Sequence, residues 1–139
     1  MKYVEGAPSA RILLRSMLDT VNAQILYMKA QSNDKEYISN LEKIRGAVIK
    51  LQNAEINGTV LDEEEAMSGL TTKTDFKPDL HSNYEGLELC GLNLLRALIH
   101  ETELSAWMVF GVHDGLKICY ILNQLGSAVR ALMSKYIQK

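Results

Sequence analysis

Three sets of polar side chains at helical spacing are where chemistry could reside in this chain. Arg11, Arg15, Asp19 and Asn22 stand at intervals of 4, 4 and 3. Arg96, His100 and Glu103 stand at intervals of 4 and 3, and so do Asn123, Ser127 and Arg130. Residues three or four apart share one face of a helix, so each set forms a stripe. Guanidinium groups on such a face can hold phosphate or carboxylate through charge-assisted, bidentate hydrogen bonds. The ordinary reading of a charged stripe is a solvated face, and Arg45 on the second helix is read that way. Arg96 and Glu103 are different, because Leu94, Leu95 and Leu98 border them and bring their face to the edge of a helix seam. His100 by itself reads as a structural histidine rather than a base.

Other chemistries find little support. His81, His100 and His113 lack HExxH or paired-carboxylate spacing, so no metal site is expected. No GxGxxG or Walker-type loop is present. Glu63, Glu64 and Glu65 read as the first turn of a short helix, where carboxylates suit the helix dipole. Cys90 and Cys119 have no CxxC partner and read as two buried, reduced thiols. The net charge is −2 without a Lys/Arg block, which argues against nucleic acid or an anionic membrane as partner. Apolar runs fall well short of the ~20 residues needed to span a bilayer. Met1 to Ser9 has no signal-peptide pattern, and the expected location is the cytoplasm.

The elements that must position the stripes are helices. The chain of 139 residues, 47% hydrophobic and 23% charged, reads as one all-α domain over residues 1–139. Its two prolines, Pro8 and Pro78, lie at joints. A first helix runs from about Ser9, as N-cap, to Gln31, with Leu14, Leu18, Val21, Ile25 and Met28 as its seam. A second runs from about Lys35 to Ile56, with Leu41, Ile44, Val48 and Leu51 inside, and Asn57-Gly58 ends it. Residues 57–81 form one long connection with a short helix capped by Asp62, and a connection of that length is commonly functional. A third long helix is expected from about Ser82 to Phe110, its inner face beginning with Leu87, Leu94 and Leu98. The last is capped by Asp114 and runs to about Gln138, with Ile118, Leu122, Leu125, Val129, Leu132 and Tyr136 as seam. Short joins make the first and last pairs antiparallel neighbours in a four-to-five-helix bundle. The residues alone support a bundle with a polar inter-helix cleft.

Segments of the chain resemble the ATP:cob(I)alamin adenosyltransferases. Leu18-Asp19-Thr20-Val21-Asn22-Ala23-Gln24-Ile25 is similar to the family's first-helix pattern LDELNAxIG. Leu94-Leu95-Arg96, continuing to His100-Glu101-Thr102-Glu103, resembles ART-xxRRAER, with Arg96 on the first Arg and Glu103 on the Glu. Ile121-Leu122-Asn123-Gln124-Leu125-Gly126-Ser127 resembles the last-helix signature YLNRLSD. The order and spacing over residues 8–136 are most similar to the ethanolamine-utilization branch.

The resemblance implies a cobalamin adenosyltransferase-like bundle and transfer of the 5′-deoxyadenosyl group of ATP to cob(I)alamin. It implies ATP with Mg2+, a corrinoid substrate, a homotrimer with sites between subunits, and a place in the cytoplasm or a bacterial microcompartment. Asp19 and Arg96 match a family ion pair that shapes the site; Glu103 and Asn123 match positions around ATP. Phe76 is the nearest aromatic for the residue that displaces the lower cobalt ligand, and Leu80 stands closer to the matching position. The opening residues lack the family's triphosphate loop TGDxGxT, and Gln124 replaces the Arg of LNRLS. Arg11 and Arg15 are then the substitutes for holding phosphate. The alternatives are a non-catalytic corrinoid- or nucleotide-binding bundle, and a structural oligomeric bundle whose stripes are subunit contacts.

Overall fold

The computed structural model describes residues 7–79 and 81–137. Among them the chain is an all-α bundle of four long helices and one short one: α1 (Ala7–Gln31), α2 (Lys35–Asn57), α3 (Glu63–Ala66), α4 (Leu87–Phe110) and α5 (Ile118–Tyr136). The long helices close a ring in which α1 packs on α2 and α4, and α5 packs on α4 and α2. Each neighbouring pair is antiparallel. The chain order is up, down, down, up, because residues 58–86 carry the chain back from the end of α2 to the opposite end of the bundle.

Local chemistry explains most helix ends. Pro8 lies in the first turn of α1, where a missing N–H costs nothing. Ser9 is therefore inside the helix rather than its cap. Asp34 caps α2 by accepting from Tyr37 N at 3.1 Å. Gly58, at φ 69°, closes α2 by donating to the Ala54 carbonyl at 2.8 Å. Asp62 caps α3 by accepting from Glu64 N at 3.1 Å. The third long helix starts at Leu87, not Ser82, because Gly86 sits at φ 92° and residues 82–85 are not helical. At α5 the capping residue is Lys117, at φ 69°, while Asp114 reaches the Cys119 N–H from three residues further back.

The seams of α1 and α2 are buried as their spacing requires, and so is that of α5 up to the half-buried Tyr136. The inner face of α4 is the expected one only at Leu98, which packs partly buried on the core. Leu87 and Leu94 are 52% and 49% exposed, and the buried face is Leu92, Leu95, Ile99, Thr102, Ala106 and Val109. Leucines occur on several sides of α4, so spacing alone allowed two registers. At Gly91 the helices come close: a Cβ there would meet Tyr37 Oη at 3.1 Å and Met28 Cε at 3.3 Å.

Polar interactions tie both ends of the bundle. At one end Ser32 Oγ donates to Glu88 at 2.9 Å, and Tyr37 Oη donates to the Glu88 carbonyl at 3.3 Å. Tyr136 Oη donates to Asp34 at 3.4 Å, and its ring meets Tyr37 edge-on at 5.7 Å. Burial, then the Asp34 carboxylate, push the Tyr136 phenol up to about 12. At the other end Glu55, fully buried on α2, is gripped by two arginines of α1. Arg11 Nε donates to Oε2 at 2.8 Å and Arg15 Nε to Oε1 at 2.6 Å, while Arg11 Nη2 donates to the Glu55 carbonyl at 2.6 Å.

Two expectations follow. Arg11→Ala removes the bonds to Glu55 Oε2 and to the Glu55 carbonyl and leaves Arg15 as the remaining partner of the buried carboxylate, so it should destabilise the fold by about 1–3 kcal/mol in urea unfolding. Arg15→Ala should cost less, since that side chain is 51% exposed. Because the folded state holds the Tyr136 phenol above its ordinary 10.0, the stability that this group contributes should be intact below pH 10 and be lost as pH rises toward 12. Burial raises Tyr37 and Cys119 as well, so Tyr136→Phe should make the alkaline fall shallower without abolishing it, measured by denaturant unfolding against pH.

Candidate functional site

The outer seam between α4 and α5 opens into a cleft of about 430 Å3. Arg96, His100 and Glu103 reach it from α4, and Asn123, Gly126 and Arg130 from α5. The long connection adds Lys77 and Pro78. Two antiparallel helices bring these stripes together because each stripe lies next to its helix's buried seam. Arg96 follows Leu95 and precedes Ile99; Arg130 follows Val129 and precedes Leu132.

Hydrogen bonds orient several of the side chains that line the cleft. Arg96 Nε donates to Asn93 Oδ1 at 3.1 Å, which aims the guanidinium along α4. Arg130 Nη2 donates to Ser127 Oγ at 2.9 Å. Glu103 Oε2 accepts from Asn123 Nδ2 and from Trp107 Nε1, each at 3.3 Å. Glu103 thus joins α4 to α5 rather than pairing with Arg96. Three cations, Lys77, Arg96 and Arg130, face one carboxylate in a chain whose overall charge is −2. Such a concentration of positive charge in a concave site favours a multiply charged anion such as a phosphate chain.

Along the same seam a second hollow of about 510 Å3 is lined by Trp107, Val112, Tyr120, Cys119, Asp114, Glu63 and Lys117. It shares Glu103 and Asn123 with the first, so the two adjoin along one trough-like seam, with the Asn123–Glu103 hydrogen bond at their boundary.

The residues read from the sequence divide clearly. Arg96, Glu103 and Asn123 converge on this trough, and His100 joins them. Arg11 and Arg15 do not: both are engaged by Glu55 at the α1–α2 seam. Asp19 is exposed on α1 and does not line the trough. Phe76 packs half-buried on the core, its ring 6.4 Å from that of Tyr84. Leu80, like the opening residues 1–6, lies outside the described residues. Arg45 is no solvated charge, since its Nε donates to Asn22 Oδ1 at 3.0 Å and Nη1 reaches Glu42 at 3.3 Å. Lys77 was not singled out in the sequence, and no local signal marks it. Only the path of the connection delivers it. Trp107 was legible, had the Glu103 stripe been extended by one turn, and Tyr120, had the Asn123 stripe been extended back by three residues.

No family model, curated protein or solved structure matches this chain. Among the described residues no group of three or more His, Cys, Asp or Glu side chains is placed to hold a metal ion. None of their helices is long and apolar enough to cross a membrane.

The two cysteines differ. Cys119 is buried in the floor of the trough, and burial, then the neighbouring Asp114 carboxylate, push its thiol well up. Cys90 is exposed on α4, contrary to the expectation of two buried thiols. A thiol-specific reagent should therefore label one of the two cysteines in the native chain and both after denaturation. Mass mapping should place the native label on Cys90.

Proposed function

We propose that this chain is an ATP:corrinoid adenosyltransferase that holds the triphosphate of ATP in the basic half of the α4–α5 trough. The observation that carries the reading is the meeting of Arg96, Glu103 and Asn123 in one cleft. These are the positions at which the third-helix and last-helix segments resemble the family, and Glu103 and Asn123 stand 20 residues apart in the sequence.

The chemistry asks little of a protein beyond position and charge. Reduced cobalt(I) of the corrinoid is the nucleophile. Its electron pair forms the cobalt–carbon bond to C5′ of ATP, the C5′–O5′ bond breaks, and triphosphate leaves with that bond's electrons. No side-chain nucleophile or general base is required. Lys77, Arg96 and Arg130 would neutralise the charge gathering on the leaving triphosphate. Glu103 and Asn123 would orient the nucleotide. Mg2+ would come with the phosphates, as it commonly does, rather than in a cage of protein ligands. Asp19, exposed on α1, belongs in this reading to a neighbouring subunit's site, as the implied trimer requires.

A binding-only bundle is the second reading. It is favoured by the engagement of Arg11 and Arg15 with Glu55, which leaves the amino-terminal helix without the phosphate donors expected of it. Cobalamin binding without ATP binding in calorimetry would select it.

Mixing the chain with ATP and chemically reduced cobalamin should give adenosylcobalamin, seen as a light-labile change in the visible spectrum. Arg96→Ala should lower turnover at least tenfold, while Arg45→Ala, on the far side of the bundle, should stay near the parent chain. Folded protein that yields no product, or equal losses in both variants, would sink the assignment.

A further inference from the structure

The trough has two unlike halves, and their difference fixes how an elongated ligand can lie in it. The first half presents Lys77, Arg96 and Arg130 with one carboxylate, Glu103. The second presents the carboxylates of Glu63, Glu103 and Asp114 with one cation, Lys117, which stands 3.7 Å from Glu63. Phosphate is attracted by the first half and repelled by the second. The second half has instead two large aromatic side chains at its surface: Trp107 is 42% exposed and Tyr120 47%. Val112 beside them is 83% exposed. Arg96 and Trp107 are 11 residues apart on α4, or roughly 16 Å along its axis at the usual rise. An extended nucleoside triphosphate spans a comparable length.

We propose that the Trp107–Tyr120 half of the trough seats the heterocyclic ring of the nucleotide whose phosphates lie between Lys77, Arg96 and Arg130. The proposal rests on the phosphate-binding reading given above. Aromatic faces stack on any nucleobase. The carboxylates of Glu103 and Asp114 supply acceptors and no donors, so they favour a ring that carries N–H groups, such as the exocyclic amine of adenine. Glu103 sits at the junction, held by Trp107 Nε1 on one side and Asn123 Nδ2 on the other. It therefore marks the boundary between the aromatic half and the phosphate half.

Trp107 is the sole tryptophan of the chain, so its fluorescence reports on this half alone. The experiment compares ATP with inorganic tripolyphosphate on the full chain by emission and by calorimetry. ATP should change Trp107 emission. Tripolyphosphate should reverse that change by competition while producing none itself. Tyr120→Ala should weaken ATP about tenfold, the order expected for losing one stacked ring, and leave tripolyphosphate binding as it was. Tyr120→Phe, which keeps the ring, should bind ATP like the parent chain and guards against a misfolded alanine variant. Arg130→Ala should weaken both ligands. If both ligands bind in the trough but Tyr120→Ala touches neither and the emission stays silent, the ring placement fails and the phosphate reading stands. If neither ligand binds, both fall.

Discussion

The antiparallel packing of α4 on α5 is the constraint on which the rest of the molecule depends. Leu92, Leu95, Ile99 and Ala106 of one helix, and Leu122, Leu125 and Val129 of the other, are all fully buried. Their interlocking sets the rotation of each helix about its axis. A slip of one residue turns a helix by about 100°, which would carry Arg96 or Arg130 out of the cleft. The polar trough is thus a by-product of an apolar decision. The Glu103 contacts to Asn123 and Trp107 then hold the two walls in one register.

The remaining structure keeps that pair in place. α1 and α2 supply the other half of the core and are fastened by interactions at opposite ends of the bundle. Around Ser32, Asp34, Tyr37, Glu88 and Tyr136, hydrogen bonds link α2, α4 and α5 to the turn between α1 and α2. At the other end the cost of burying Glu55 is offset by two arginines and by the Arg11 bond to its own carbonyl. The long connection has a double role. It returns the chain across the bundle so that every neighbour is antiparallel, and it places Lys77 and Pro78 at the mouth of the cleft. Its Leu61 N–H bonds the Leu116 carbonyl at 3.3 Å, and Leu70, Phe76 and Tyr84 pack on the core, so it is pinned at several points.

The seams of α1, α2 and α5 were readable because each has a single apolar stripe beside polar neighbours. The capping residues Gly58 and Asp62 were readable because a cap acts within a few residues of itself. The α4 face was misread because Leu87 and Leu94 mimic a seam while lying outside it. Arg11 and Arg15 were misplaced for a related reason. Their spacing shows that they share a face, but nothing local says that Glu55, forty or more residues away, waits on the neighbouring helix.

The chain's own pattern therefore determined the helical class, the number of long helices, the caps at Gly58 and Asp62 and the existence of polar stripes, since all of these depend on contacts within a few residues. Tertiary structure decided which stripes meet. Arg96, Glu103 and Asn123 share a cleft because α4 and α5 bury the adjacent faces. Arg11 and Arg15 are held by Glu55 because α1 lies beside α2. Lys77 reaches the site only because the connection crosses the bundle. Rotation of one helix against another is set by the packing of both surfaces together, and no single helix carries that information.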